Sequence, residues 1–295
     1  MRLGEINVGS RTEFRIRALT QLLAAITVLA VVLAGCGGGG GGGAVQPPSS
    51  GGADSSSGGG QSTRESSTIG SRITGTNYAL NIYLPPASAG ARGDVPIVYM
   101  LDGESWFETL VDIVETTRTG LIIVGINSMG QRNRDFVPVN TCTGGGGGHA
   151  AYFDFIRREL IPHVEGKFGG NPSRRALFGH SHGGSFVLYA TFSESPGQHT
   201  FKAYLASEAS IACMPATAFA WEQVYASAYR ELPARLHISS ATGGNASANF
   251  EYANMIAQRN YAGLVFRNEV YGGSHTGIVP QVLKDAIAFA FPISP

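Results

Sequence analysis

The stretch Gly179-His180-Ser181-His182-Gly183-Gly184 constrains this chain more than any other. It follows Arg175-Ala176-Leu177-Phe178, whose apolar end fits a buried strand. It precedes Ser185-Phe186-Val187-Leu188-Tyr189-Ala190, which reads as a helix. Glycines on both sides of Ser181 let the backbone reverse from strand to helix without a Cβ clash. Such a turn lifts the serine Oγ above a sheet edge and leaves the following N–H groups at a helix N-terminus. The spacing is G-x-S-x-G in a strand–turn–helix setting, the arrangement of a nucleophile elbow. In a chain with 41 glycines the pattern alone is weak; its flanking elements make it specific.

The rest of the chain supplies the sheet. Ser71-Arg72-Ile73 and Asn77 to Leu84 alternate polar and apolar residues, as half-exposed antiparallel strands do. Pro96 to Leu101 and Gly120 to Ile126 are continuously apolar, which suits strands covered on both faces. Strands are also predicted over 201–206, 234–241 and 263–271. Helices are predicted over 105–117, 152–164, 216–231, 248–260 and 278–291, and residues 127–148 read as a long loop ending in a run of five glycines, 144–148. Strands alternating with helices predict an α/β fold: a mainly parallel central sheet with helices on both faces and antiparallel strands at its start.

The N-terminus reads differently. Arg11, Arg15 and Arg17 precede an apolar run from Leu22 to Ala34, a secretory signal pattern. Its ending, Leu33-Ala34-Gly35-Cys36, resembles the bacterial lipobox. That likeness implies a signal peptide over residues 1–35 and a lipid on Cys36. The alternative is an uncleaved anchor, although the run is shorter than the ~20 residues a span requires. Either way the expected location is the bacterial cell envelope, facing the periplasm or the exterior. Residues 36–67 are mostly Gly and Ser and predict a flexible tether, leaving residues 68–295 as the folded domain. In an oxidising compartment Cys142 and Cys213 are able to pair, but sequence leaves their separation open. With 21 basic and 21 acidic residues, the chain has no charge excess to attract nucleic acid.

Ligands of parallel α/β sheets meet the loops at the strands' carboxyl ends. Ser181 lies at such an end, and so does His275, in Gly272-Gly273-Ser274-His275-Thr276 just past the last strand. A serine hydroxyl needs a base at neutral pH, and an imidazole can take and return its proton. His275 is the expected base, with His149 as the rival on the same edge. The orienting acid is open. Between Ser181 and His275 there is no aspartate, and Thr242-Gly243-Gly244-Asn245 offers no carboxylate after the strand where one would be expected. Glu208 needs the smallest displacement, Glu251 is the second choice, and a Ser–His dyad is the third. The oxyanion is expected to meet the backbone N–H of His182 and that of Gly103 or Glu104. Arg132 and Arg134 offer charge to a substrate carboxylate or phenolate, or a partner to Asp135. His149, His180 and His182 lack the fourth ligand and spacing of a zinc site, so no metal is expected.

Several segments together resemble the esterase branch of the α/β-hydrolases, which includes siderophore (enterochelin) esterases, S-formylglutathione hydrolase and some feruloyl esterases. They are Tyr83-Leu84-Pro85, Val98 to Gly103, Ile123 to Ile126, Arg134 to Pro138, Phe155 to Pro162, Arg174 to Ser181, and Gly273-Ser274-His275. The resemblance covers about Thr68 to the C-terminus. It implies a serine esterase with Ser181 and His275 as functional residues, no cofactor, and a small ester as substrate. Two other outcomes remain open at this level. The same acyl-enzyme could pass its acyl group to an alcohol, or the fold could serve as a binding lipoprotein that has lost its acid.

Overall fold

A computed structural model describes residues 60–87 and 91–292 of the chain. The expected signal segment, Cys36 and the tether up to residue 59 lie outside the described residues.

Eight strands form one sheet. They are β1 (Thr63–Gly70), β2 (Asn77–Leu84), β3 (Ile97–Leu101), β4 (Ile122–Ile126), β5 (Arg175–His180), β6 (Ala203–Ser207), β7 (Arg235–Gly243) and β8 (Val265–Ser274). Their order is β1-β2-β4-β3-β5-β6-β7-β8. β1 and β2 are antiparallel to their neighbours, and β3 to β8 run parallel. The helices are α1 (Gly103–Thr117), α2 (Arg132–Phe136), α3 (His149–Phe155), α4 (Ile161–Phe168), α5 (His182–Phe192), α6 (Pro215–Ala228), α7 (Ala246–Arg259) and α8 (Val279–Ala290).

The continuous apolar strands are explained by their two covered faces. In β3, Ile97, Tyr99 and Leu101 join the core beneath α3 to α7, while Val98 and Met100 join the core beneath α1 and α8. Successive side chains point to opposite faces of a strand, so both parities must be apolar here. The middle of the sheet is thereby dry and stiff, and the loops at its carboxyl edge rest on a rigid base.

The first strand differs from the sequence reading. Residues 71–76 form a turn closed by Ser71 N to Thr76 O at 2.9 Å, and the edge strand is Thr63–Gly70, part of which falls within the expected tether. Its sequence, TRESSTIG, is polar and mostly exposed. Only the unbroken register with β2, from Thr63 opposite Leu84 to Gly70 opposite Asn77, makes it a strand. Folded chain therefore begins ahead of Thr68. Within the predicted 127–148 loop, residues 132–136 form the short helix α2.

Candidate active site

The elbow is built as its sequence requires. Ser181 sits between β5 and α5 with φ 60° and ψ −117°, a region that non-glycine residues avoid. Strain of this kind costs about 1–3 kcal/mol and persists where surrounding structure enforces it. The enforcement is visible: Ser181 N donates to Ser207 O at 2.8 Å, and Ser185 N donates to Ser181 O at 3.0 Å. The strand and helix approach so closely that a Cβ on Gly179 would stand 2.2 Å from Gly183 O, whereas one on Gly183 meets only ordinary contacts at 3.5 Å. The two glycines are therefore unequal. Gly179→Ala is expected to cost about 3 kcal/mol or more through overpacking against backbone, and Gly183→Ala less than about 1 kcal/mol. Urea unfolding of both variants checks this, and equal losses would refute it.

Ser181 and His275 line one small open cleft of about 280 Å³, together with Asp102, Glu104, Trp106, Arg132 and His180. A larger groove of about 1420 Å³ lies at the opposite edge of the sheet, among Arg118, Arg174, Lys202 and Lys284. It contains neither Ser181 nor His275, so the elbow serine and the late histidine share only the smaller cleft. Ser181 Oγ shares a hydrogen bond with Ser210 Oγ at 3.1 Å. His275 Nδ1 is 2.7 Å from Glu208 Oε2, which leaves Nε2 as the nitrogen available to a serine proton.

Glu208 is the carboxylate whose side chain reaches His275. It follows β6, its side chain is fully buried, and its φ of 47° turns the chain toward β7. Its carboxylate accepts from His275, from Asn245 N at 2.9 Å and from Ala241 N. Burial by itself would raise its pKa, but these three hydrogen bonds outweigh it and hold the carboxyl below the ordinary glutamate value. The loop after β7 carries no acid because it cradles this one. A Cβ on Gly244 would lie 2.1 Å from Glu208 Oε2. Glu251 is exposed on α7, and His149 packs its ring 4.5 Å from Tyr189 outside the cleft.

The donor side of the site comprises the starts of two helices. α1 opens at Gly103 directly after Asp102, and α5 opens at His182. The first N–H groups of each helix lack intrahelical acceptors and carry the positive end of its dipole. Asp102 itself is left-handed (φ 54°) and buried, and its carboxylate accepts from Ser128 Oγ and from Arg132 Nε at 2.9 Å. Burial raises its pKa despite these partners.

The two arginines part company. Arg132 lines the cleft, but its Nε is taken by Asp102 and one Nη donates to His180 O at 2.9 Å, so it ties the α1 turn to the elbow. Arg134 is not in the cleft; it pairs with Asp135 at 2.6 Å and donates to Tyr78 OH at 3.1 Å. Both lie in α2, where residues two apart face away from each other, a separation invisible while the segment reads as loop.

The histidines flanking Ser181 are buried. His180 bonds Ser207 Oγ through Nδ1 at 3.1 Å, and its ring centre is 4.6 Å from that of His275. His182 Nε2 is 2.6 Å from Asn140 Nδ2. Burial pushes their pKa values down to about 3 and about 4, respectively, so both are neutral imidazoles at neutral pH. Cys142 and Cys213 are joined in a disulfide. Among the described residues no group of three or more His, Cys, Asp or Glu side chains is arranged to hold a metal ion, and no helix is long and apolar enough to cross a membrane. Sequence reasoning missed Asn140, Ser210 and Trp106; nothing in their local pattern marks them, since each matters through a distant partner.

The strand order, the elbow and the histidine after the last strand define the class of protein: an α/β-hydrolase fold with antiparallel strands at its N-terminal edge. The chain belongs to the "Putative esterase" family, whose profile matches residues 71–266, about two thirds of its length. It is 32% identical over 136 residues to the siderophore triacetylfusarinine C esterase of Aspergillus fumigatus, covering 41% of this chain and 46% of that one. It is 31% identical over 152 residues to the ferri-bacillibactin esterase BesA of Bacillus subtilis, covering 43% and 50%. The chain thus spans about half the length of the curated relatives it matches. Among solved structures, the BES protein from Bacillus cereus superposes with a TM-score of 0.68 at 24% identity, over 78% of this chain and 95% of that one.

Proposed function

We propose that the protein is a serine carboxylic-ester hydrolase, acting outside the cytoplasm on small esters of the siderophore type. The observation that carries the reading is the His275 Nδ1–Glu208 contact of 2.7 Å beside Ser181 in one cleft. Glu208 holds the proton on Nδ1 and so presents Nε2 as the base. Ser181 Oγ leaves Ser210, gives its proton to Nε2 and attacks the ester carbonyl. The charge that develops on the carbonyl oxygen meets the N–H groups of His182 and of Gly103 or Glu104. The imidazolium then protonates the leaving alcohol, and water, activated in the same way, releases the acid. Apo sites commonly hold such groups loosely, so the Ser181–Ser210 bond in the resting enzyme is compatible with this path.

The substrate class rests on the relatives, whose names refer to siderophore esters. The Glu208–His275 contact favours the hydrolase reading over a binding lipoprotein without an orienting acid. The envelope location rests on the Leu33–Cys36 pattern; metabolic labelling with a tritiated fatty acid, lost in Cys36→Ser, is its check.

A fluorophosphonate probe tests the chemistry directly. The folded protein is expected to be labelled at Ser181 and at no other serine, and to release free acid from p-nitrophenyl and siderophore esters. Absence of labelling would sink the hydrolase reading. Accumulation of acylated alcohol in place of acid would redirect it to transfer.

A further inference from the structure

We infer that Asn140, locked in place by the Cys142–Cys213 disulfide, is a positioning residue for the oxyanion-binding amide of His182. The inference rests on the hydrolase reading above.

Asn140 is buried, and each of its polar groups is used. Nδ2 donates to His182 Nε2 at 2.6 Å, and Oδ1 accepts from Cys142 N at 3.0 Å and from Thr143 N at 3.1 Å. Its backbone N donates to Gly145 O at 3.0 Å, and its carbonyl accepts from Gly144 N at 2.8 Å. The segment that carries it is a poor support by itself. Gly144 to Gly147 all have positive φ, between 76° and 116°, and glycines in such a run lose much conformational entropy on ordering. The strap therefore needs an external fastening, and the disulfide to Cys213 supplies it. Thr141 reinforces it, donating to Cys213 O from N at 3.0 Å and from Oγ1 at 2.6 Å.

The far end of the disulfide reaches the elbow as well. Cys213 N donates to Ser210 O at 3.0 Å, Ser210 N donates to Ser181 O at 3.2 Å, and the Ser210 and Ser181 hydroxyls are 3.1 Å apart. One covalent bond thus joins the turn that holds Ser181 to the strap that holds His182. These two consecutive residues carry the nucleophile and an oxyanion amide. The elbow backbone is held against its own preference, so its first helical amide can drift when its side-chain anchor is removed. A misplacement of ~1 Å is enough to cost about a hundredfold in rate.

The test uses the full oxidised chain, with active sites counted by fluorophosphonate titration so that misfolded molecules do not enter the rate. Asn140→Ala is expected to lower kcat about 10- to 100-fold with KM within about twofold. Affinity for an alkyl boronic acid, which mimics the tetrahedral state, should fall by the same factor; a merely structural role would leave it unmoved. Reduction of the folded wild-type protein needs no refolding. With a phosphine and unchanged far-UV dichroism, it should lower kcat about 3- to 10-fold, recover on reoxidation, and leave a Cys142→Ser/Cys213→Ser variant indifferent. In Asn140→Ala the same reduction should add little, because both changes act through one link.

If Ser181 is labelled and esters are hydrolysed, but Asn140→Ala and reduction each leave kcat and boronate affinity within twofold, the brace is refuted and the hydrolase stands. A loss confined to KM, or reduction effects of equal size with and without Asn140, refutes it too. If Ser181 is not labelled at all, the hydrolase reading fails first.

Discussion

Glu208→Gln is expected to lower kcat/KM about 10³- to 10⁴-fold, the scale set by neutralising the orienting acid of other serine hydrolases. The reason is the direction of one proton. Glu208 Oε2 accepts from His275 Nδ1 at 2.7 Å. A glutamine is neutral, so the imidazolium loses the buried negative charge beside it whichever way the amide turns. With its oxygen at the Oε1 position on Ala241 N, it places nitrogen at the Oε2 position, which Asn245 N and Nδ1 both face. Its NH₂ group then points at Nδ1. A donor facing a donor is unfavourable, so the imidazole moves its proton to Nε2, the nitrogen that must accept from Ser181. The fold is retained and the base is lost. Gly244→Ala should approach the same loss without touching any ionisable group, because its methyl would occupy the Oε2 position. Glu251→Gln, on the exposed face of α7, is expected to stay within twofold of wild type. Steady-state kinetics on one aryl ester decides the matter. A loss below about tenfold for Glu208→Gln, or roughly 1.4 kcal/mol of barrier, would reduce the site to a dyad.

The second large effect concerns acid. Of the seven histidines, five (His149, His180, His182, His199 and His237) have lowered pKa values, in each case chiefly through burial. A group whose folded pKa is depressed stays neutral in the fold while the unfolded chain takes up its proton. Stability therefore falls as pH drops below the unfolded value near 6.5 and continues to fall until the folded pKa is reached. For His180, at about 3, and His182, at about 4, that window spans more than two pH units. Each contributes a slope of about 1.4 kcal/mol per pH unit within it. Glu208, held below its usual value, adds to the loss at still lower pH. Asp102, with a raised pKa, opposes it, as one group against five. Urea midpoints measured from pH 7.5 to 4.5 should fall steeply below about pH 6, and less steeply in His180→Phe. A midpoint flat across that range would contradict the burial of these rings.

Much of this protein was legible in its sequence because much of it is local. The elbow needs glycine where strand and helix meet, and Gly179, two residues before the serine, shows that need. His275 could be located by its place after the last strand. The apolar runs at 97–101 and 122–126 announced a sheet covered on both faces. The polar strand β1 was not legible, since TRESSTIG has no apolar period and owes its conformation to hydrogen bonds with β2. Nor was the fate of Arg134, which depends on the turn of a five-residue helix.

What the sequence determined by itself is the local framework at the bend: a serine between glycines, a late histidine, and alternating strands and helices that put both at one edge of a parallel sheet. Which carboxylate reaches the histidine was decided only in three dimensions, where Glu208 crosses from β6 into the hollow left by Gly244. Short-range patterns are set by steric rules between neighbours in the chain. Partnerships such as Glu208 with Asn245, or Asn140 with His182, depend on how separate loops end up side by side, and no local pattern records that.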